Sequence, residues 1–320
     1  MIRRILVPLD GSVMAEGALP QAIAIAKAFS ADLVLLHVVE RGYEEHGPVD
    51  AVEWRTRRAE AQAYLVEIKQ RLRPTGLEVK TMVAEGKASE EILRCSREHE
   101  ADLIVLTSHG HQGTGKFDFG PTLHQVISAA SISIMLVRPA QERMTFPEAT
   151  PYRRILVPLD GSRRAEWALC LAATVASYHN ATLLIAHVVQ VPEMARGFPL
   201  GPEEEEVAQR LIDLNRAAAE SYLDQQKSQL SLGDNCECHL EISGRIPRAI
   251  QNLAERQEVD LVVLSAHGYS GDREWLYGGV ARSLISHCKT PLLVLQDAAY
   301  EVNNHEEEAE RRLLHSREVG

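Results

Sequence analysis

The chain has 320 residues, 45% of them hydrophobic, and carries a formal net charge of −11. Such a composition suits ordinary globular domains, and its acidity argues against a nucleic-acid backbone as the main partner, because phosphate binding favours a basic face. No apolar run approaches a membrane span and the Arg3-Arg4 start does not read as a signal peptide, so no membrane partner and a cytoplasmic location are expected.

In chain order, Ile5-Leu6-Val7 predicts a first strand. Ser12 reads as the N-cap of a helix whose Leu19, Ala22, Ile23 and Ala26 fall at helical spacing, with Pro20 kinking it. Leu33 to Val39 reads as a second strand buried on both faces, followed by a polar helix from Val52 to Leu72 that stops before Pro74 and Gly76. A third strand is expected at Leu77 to Ala84, a helix at Ala88 to His99 and a fourth strand at Asp102 to Thr107. After a glycine-bearing loop, Leu123, Val126, Ile127 and Ala130 mark a last helix and Ile132 to Val137 a last strand. The order then begins again. In the second half Val207, Leu211, Leu214, Ala218 and Tyr222 are expected to line the long helix, and Pro247 sits where a first helical turn tolerates proline.

The recurrence is a duplication. Arg-Arg-Ile-Leu-Val-Pro-Leu-Asp-Gly-Ser occurs at Arg3 to Ser12 and again at Arg153 to Ser162, ten consecutive matches. His37-Val38-Val39 answers His187-Val188-Val189, and the run from Asp102 to Gly110 answers that from Asp260 to Gly268. A period this long means two whole domains rather than a solenoid. We expect domains at 1–140 and 153–297, a linker at 141–152 and a charged tail at 298–320. Short aliphatic strands separated by helices imply parallel β-α-β units covered on both faces. The short link implies that the domains pack together, so that the last strands, otherwise exposed apolar edges, pair with each other.

The five cysteines are few and unmatched between repeats, which fits a reducing compartment. Cys236-Glu-Cys238-His239 lacks a second ligand pair and reads as a strand with two small thiols; no metal is expected.

In a parallel sheet, ligands sit beyond the C-terminal strand ends at the switch point. Three elements of each repeat converge there: Pro8 and Asp10, or Pro158 and Asp160, after strand one; His37-Val38, or His187-Val188, at strand two; and the loop after strand four. That loop runs from Leu106, Thr107 and Gly110 to Gly120 and Thr122, and from Leu264, Ser265 and Gly268 to Gly278, Gly279 and Val280. A glycine loop feeding a helix N-terminus is an anion site, through its unpaired N–H groups and the helix dipole. Simpler roles stay open: Asp10 and Asp160 as turn formers ahead of Gly-Ser, Gly110 and Gly268 as turn glycines, Lys116 and Arg273 as solvated charges. His37, His109, His187 and His267 read as structural histidines rather than a catalytic set, and no Walker-type motif is present.

The Val-Pro-Leu-Asp-Gly-Ser run, the His-Val pair and the spaced glycines resemble the universal stress protein family, in a tandem form. The resemblance implies two Rossmann-like, doubly wound α/β domains with five parallel strands in the order 3-2-1-4-5, packed as a pseudo-dimer. It also implies regulatory binding of an adenine nucleotide, ATP foremost and with Mg, in one or both clefts, without fast catalysis; a scaffold with empty clefts and a slow nucleotide hydrolase are the alternatives. Further partners it leaves open are a second copy, giving a homodimer, and other proteins. Val38 or Val188 would meet adenine, Asp10 or Asp160 would lie beside the nucleotide, and the loop-four glycines would hold phosphates.

The family's ATP-binding branch carries Gly-x2-Gly-x9-Gly-Ser/Thr, and both repeats keep that spacing while changing its first and last residues: Thr107, Gly110, Gly120, Pro121 and Ser265, Gly268, Gly278, Gly279. Pro121 has no N–H to offer a phosphate, although Thr122 keeps one and adds a hydroxyl, whereas Gly279 loses only a hydroxyl. Thr107, being β-branched, crowds the crevice more than Ser265. The second repeat is therefore the expected tighter site.

Overall fold

The protein is described from a computed structural model covering residues 2–40, 51–108, 120–138, 152–191, 202–269 and 276–296. Most of the expected linker and all of the expected tail lie outside these residues. The chain divides into two compact units, Tyr152–Leu292 and a first unit that comprises the chain up to Pro151 together with the end of the last strand from Leu293.

In the first unit, β1 (Arg4–Pro8) is followed by α1 (Val13–Glu16), α2 (Leu19–Phe29), β2 (Asp32–Val39), α3 (Ala51–Leu72), β3 (Val79–Glu85), α4 (Ala88–Glu98), β4 (Leu103–Thr107), α5 (Pro121–Ala129) and β5 (Ser133–Val137). The strands are parallel and lie in the order β3-β2-β1-β4-β5. Ile5, Leu6, Val7, Leu33 and Leu35 are fully buried, as a strand covered on both faces requires. The kink expected at Pro20 is a break. α1 ends at Glu16, and α2 restarts at Leu19 with Pro20 in its first turn, where a missing N–H costs nothing.

The second unit repeats the order with β6 (Arg154–Pro158), α6 (Arg163–His179), β7 (Thr182–Gln190), α7 (Pro202–Gln229), β8 (Cys236–Ser243), α8 (Ile246–Arg256), β9 (Leu261–Ser265) and α9 (Gly279–His287). β9, β6, β7 and β8 are parallel neighbours in that order. Trp167 and Cys170 stand where the first repeat has Gly17 and Pro20, and α6 runs unbroken. Both units are Rossmann-like, doubly wound α/β structures.

The expected lining of α7 needs correction. Val207 and Leu214 are 66% and 70% exposed, Leu211 and Ala218 are exposed as well, and Tyr222 is only half-buried. The buried face is Ala219, Leu223 and Gln226. Helical spacing identifies an apolar stripe, but the approach of the helix to β7 and β8 selects which face is covered, and only the C-terminal half of α7 is in reach.

The last strand, β10 (Leu292–Leu295), lies beside β5 in the sheet order and belongs to the first unit from Leu293 on. A buried polar joint follows: the Gln296 N–H donates to Ser133 Oγ at 3.2 Å and the Gln296 side-chain amide donates to the Ala130 carbonyl at 3.3 Å. Burial without such partners would be costly.

One carboxylate per unit anchors the central strand. Asp102 Oδ2 accepts the N–H groups of Arg3 and Arg4 at 2.7 and 3.0 Å, and Asp260 Oδ2 those of Arg153 and Arg154 at 2.6 and 2.9 Å. Replacing Asp260 by Ala removes two charge-assisted bonds and should lower stability by about 1.5–3 kcal/mol, while Asp260→Asn, which keeps an acceptor, should lose less; urea unfolding of the two variants checks both.

Candidate crevice at the strand ends

Each crevice opens because β1 and β6 stop early. The β1–β2 ladder ends at Pro8 and Leu36 although β2 continues to Val39, and the pairing of β1 with β4 covers only Ile5 and Leu6. The same holds at Pro158–Ala186 and at Ile155 and Leu156 in the second unit. Val38 and Val188 thus lie beyond the end of the central strand, half-buried, beside the start of the Asp-Gly-Ser turn. Sheet order reverses around β1 and β6, which makes this the switch point.

The turn has the same geometry in both units. Asp10 Oδ1 accepts the Ser12 N–H at 2.9 Å and Asp160 Oδ1 the Ser162 N–H at 3.0 Å. Ser12 and Ser162 then cap their helices through Oγ, at 3.1 and 3.2 Å from the N–H groups of Ala15 and Ala165. Gly11 and Gly161 have φ of +81° and +82°, a conformation that disfavours any side chain. The turn-forming role of both aspartates is thus real.

Asp160 does more. Its Oδ2 accepts the N–H of Tyr269 at 2.7 Å, so one carboxylate joins the start of α6 to the loop after β9. A Cβ at position 268 would lie 2.0 Å from that same oxygen. Gly268 is not in the left-handed region; it is glycine so that the carboxylate can approach the backbone. The Tyr269 side chain is 86% exposed.

The loop is pinned at both ends. Ser265 Oγ donates to the His267 carbonyl at 2.7 Å, and the Gly278 N–H donates to the Ala266 carbonyl at 2.8 Å. Gly278 is the N-cap residue of α9 and, being glycine, brings no side chain of its own to cap the N–H groups that follow. Among the described residues nothing lies within 4 Å of where a Cβ at Gly279 would sit, and the same holds at Gly120, the N-cap of α5. Pro121 is the first residue of α5, ahead of Thr122. Thr107 and Leu106 end β4 as Ser265 and Leu264 end β9, while Val280 follows Gly279 in α9. Gly110, His109, Lys116 and Arg273 lie outside the described residues.

His187 is held in place: its Nδ1 lies 2.8 Å from the Leu159 carbonyl, so that nitrogen carries the proton and donates. Burial lowers the pKa of His37 from its ordinary value, against the opposing pull of Asp10, so the ring is neutral at pH 7. Beside these histidines stands a duplicated pair absent from the sequence expectations. Tyr64 donates to Glu16 at 3.3 Å and Tyr222 to Glu166 at 3.2 Å, and the rings of His37 and His187 face the tyrosines edge-on at 5.9 and 6.4 Å. Burial and the adjacent glutamate push both phenols far above their usual range. The signal was present in the duplication itself, as Ala15-Glu16 and Ala165-Glu166 follow the shared turn at one offset and Tyr-Leu recurs at Tyr64 and Tyr222. The fourth member differs: Arg71 pairs with Glu16 at 3.0 Å, whereas neutral Gln226 donates to Glu166 at 3.2 Å.

Cys236 and Cys238 share one face of β8, and His239, on the other, approaches Glu237 at 3.2 Å. Among the described residues no three metal-ligating side chains are grouped. Burial pushes the Cys236 thiol up to about 11, with a smaller push from Cys238.

Comparison with known proteins bears on both repeats. The model of the universal stress protein family matches residues 1–138 and again 151–296. A universal stress protein of Mycolicibacterium smegmatis is 25% identical over 304 residues, covering 91% of this chain and 96% of its own. Universal stress protein YxiE of Bacillus subtilis is 28% identical over 149 residues, which is 43% of this chain and all of its own length. A universal stress protein structure from Archaeoglobus fulgidus matches 92% of this chain and 98% of its own with a TM-score of 0.60 at 19% identity, a likeness of fold.

Two outcomes follow from the second crevice and its neighbouring strand. Gly268→Ala should cost about 1–3 kcal/mol by driving Asp160 off the Tyr269 N–H, and much less when made together with Asp160→Ala; a double-mutant cycle in urea measures the coupling. Because only the thiolate reacts, iodoacetamide at pH 8 should leave Cys236 unlabelled in the folded protein and label it after unfolding, as read by peptide mass spectrometry.

Proposed function

Since the chain belongs to the universal stress protein family over both of its repeats, we propose that it binds an adenine nucleotide, ATP foremost and with Mg, as a regulatory ligand rather than as the substrate of fast turnover. The observation that carries this reading is the second crevice: a loop pinned at Ala266 and Gly278 delivers the start of α9 with a glycine as its N-cap residue, next to the open ends of β6 and β7. Backbone N–H groups of Gly279 and Val280 would receive phosphate there, helped by the helix dipole. The space that the described residues leave around Gly279 suits a bulky anion. Adenine would lie at Val188, near Pro158 and Asp160, with Leu264, Ser265, Gly268 and Gly278 forming the loop wall. The first crevice would use Pro8, Asp10, Val38, Leu106, Thr107, Gly110, Gly120 and Thr122 in the same places.

The domains proposed remain 1–140 and 153–297, separated by the linker and followed by the tail. Among the described residues no helix is long and apolar enough to cross a membrane. The cysteines are free thiols, which suits the reducing cytoplasm proposed for the protein.

The second site should be the tighter one. Pro121 removes a donor that Gly279 supplies, and a lost charge-assisted hydrogen bond is worth roughly tenfold or more in affinity. In calorimetry with Mg-ATP, Gly279→Pro should weaken the stronger site at least about tenfold, and Pro121→Ser should strengthen the weaker one. An unchanged isotherm for Gly279→Pro, with binding abolished by a lesion in the first repeat alone, would place the nucleotide in the other crevice.

A further inference from the structure

Cys236 and Cys238 stand two residues apart on β8, the last strand in the sheet order, with both side chains on one face. That face meets α7: Cys238 Sγ lies 3.8 Å from the Leu223 carbonyl, and the positive charge of Lys227 acts on both sulfurs. Cys236 is only 2% exposed, whereas Cys238 opens to solvent. The seam between strand and helix therefore holds one dry sulfur and one accessible sulfur. Burial keeps both thiols protonated at neutral pH, and Cys238 is near enough to disfavour the Cys236 thiolate further. Lys227 works against burial at both sites, while Glu237 adds to it at Cys236 and Asp224 at Cys238. Two thiolates here would repel, and a cation between them would turn that repulsion into attraction.

Spacing narrows the chemistry. Alternate residues of a strand lie about 6.6 Å apart, whereas a disulfide wants Cβ atoms about 3.5–4.5 Å apart. A thiolate–metal bond is about 2.3 Å, so two sulfurs on opposite sides of one ion sit roughly 4.6 Å apart. Side chains leaning toward each other close that gap without bending the strand. Zinc takes four ligands, and among the described residues no three ligating side chains are grouped. The missing second ligand pair weighs only against such ions. Monovalent copper is soft, favours thiolate and is satisfied by two sulfurs in line.

We propose that Cys236 and Cys238 bind one copper(I) ion between their sulfurs. Two thiols and one copper(I) ion give a bis-thiolate complex of net charge −1 and release two protons; no electron is transferred. Lys227 offsets the remaining negative charge. The ion enters at the exposed Cys238, and the buried Cys236 holds it away from water. Cys236 begins β8, at the opposite end of the strand from the crevice, so the site is independent of the nucleotide reading.

The test titrates the full chain with copper(I), without oxygen and against a chromophoric copper(I) chelator, in four forms: unaltered, Cys238→Ser, Cys236→Ala and Cys170→Ser. The unaltered chain and Cys170→Ser should each take one equivalent. Either change in the pair should weaken that binding at least about a hundredfold, because a single thiol lacks the advantage of a second ligand held nearby. Cys238→Ser alters a solvent-exposed side chain and decides the matter even where Cys236→Ala, a change in the core, fails to fold. Affinity of the unaltered chain should rise about a hundredfold per pH unit between pH 6 and 8, since two thiol protons leave. Bound copper should also shield Cys238 from iodoacetamide. Equal copper binding by the unaltered chain and Cys238→Ser overturns the site, and so does a pH slope of one proton or none. Zinc held as tightly, with the same dependence on both cysteines, overturns the two-coordinate assignment.

Discussion

Parallel pairing around a single central strand governs this molecule. A parallel neighbour is reached only by crossing over a helix, so β1 to β5 point the same way, as do β6 to β9, and within each set the C-terminal ends meet on one side. Because β1 and β6 end before the strands beside them, that side is also where the sheet comes apart. The opposite side is held by carboxylates: Asp102 and Asp260 each take two consecutive backbone N–H groups at the start of the central strand. One end of each central strand is thereby fixed, and the other is left to shape a crevice.

Within the second crevice the turn and the site are one object. Asp160 gives one oxygen to its own turn and the other to a loop more than a hundred residues away in sequence, at Tyr269. Gly161 and Gly268 flank it for unlike reasons, the first for its positive φ and the second for the space its missing Cβ leaves. The Tyr-Glu pairs lie nearby and keep His37 and His187 in polar but sheltered surroundings. Where the repeats have diverged, Gly17 and Pro20 stand against Trp167 and Cys170 and Pro121 against Gly279, and different helix positions supply the second partner of the glutamates, Arg71 for Glu16 and Gln226 for Glu166. Such positions alter charge and hydrogen-bond donors without disturbing the fully buried strands.

The edge of the first unit illustrates how an aliphatic strand is kept from solvent. β5 is buried throughout, and β10, coded at the far end of the chain, lies alongside it. Ser133 Oγ accepts the Gln296 N–H and the Ala130 carbonyl accepts the Gln296 side-chain amide in an otherwise apolar joint. A mismatched register there would strand buried donors, so the joint favours one alignment over its neighbours.

The duplicated decapeptide, the aliphatic runs and the glycine spacing by themselves determined two doubly wound repeats, the positions of nearly all their elements, and the turn that begins each crevice. Those features are local or periodic, and a chain read from end to end displays them. The tertiary structure alone decided the rest. It set which face of α7 is buried, because spacing names a stripe but not its neighbour. It turned the kink at Pro20 into a break, because a proline without an N–H fits the first turn of a new helix better than the interior of a continuous one. It brought Tyr222 to Glu166 and Tyr269 to Asp160, because hydrogen bonds between distant segments depend on where the sheet delivers them and leave no periodic trace in the sequence.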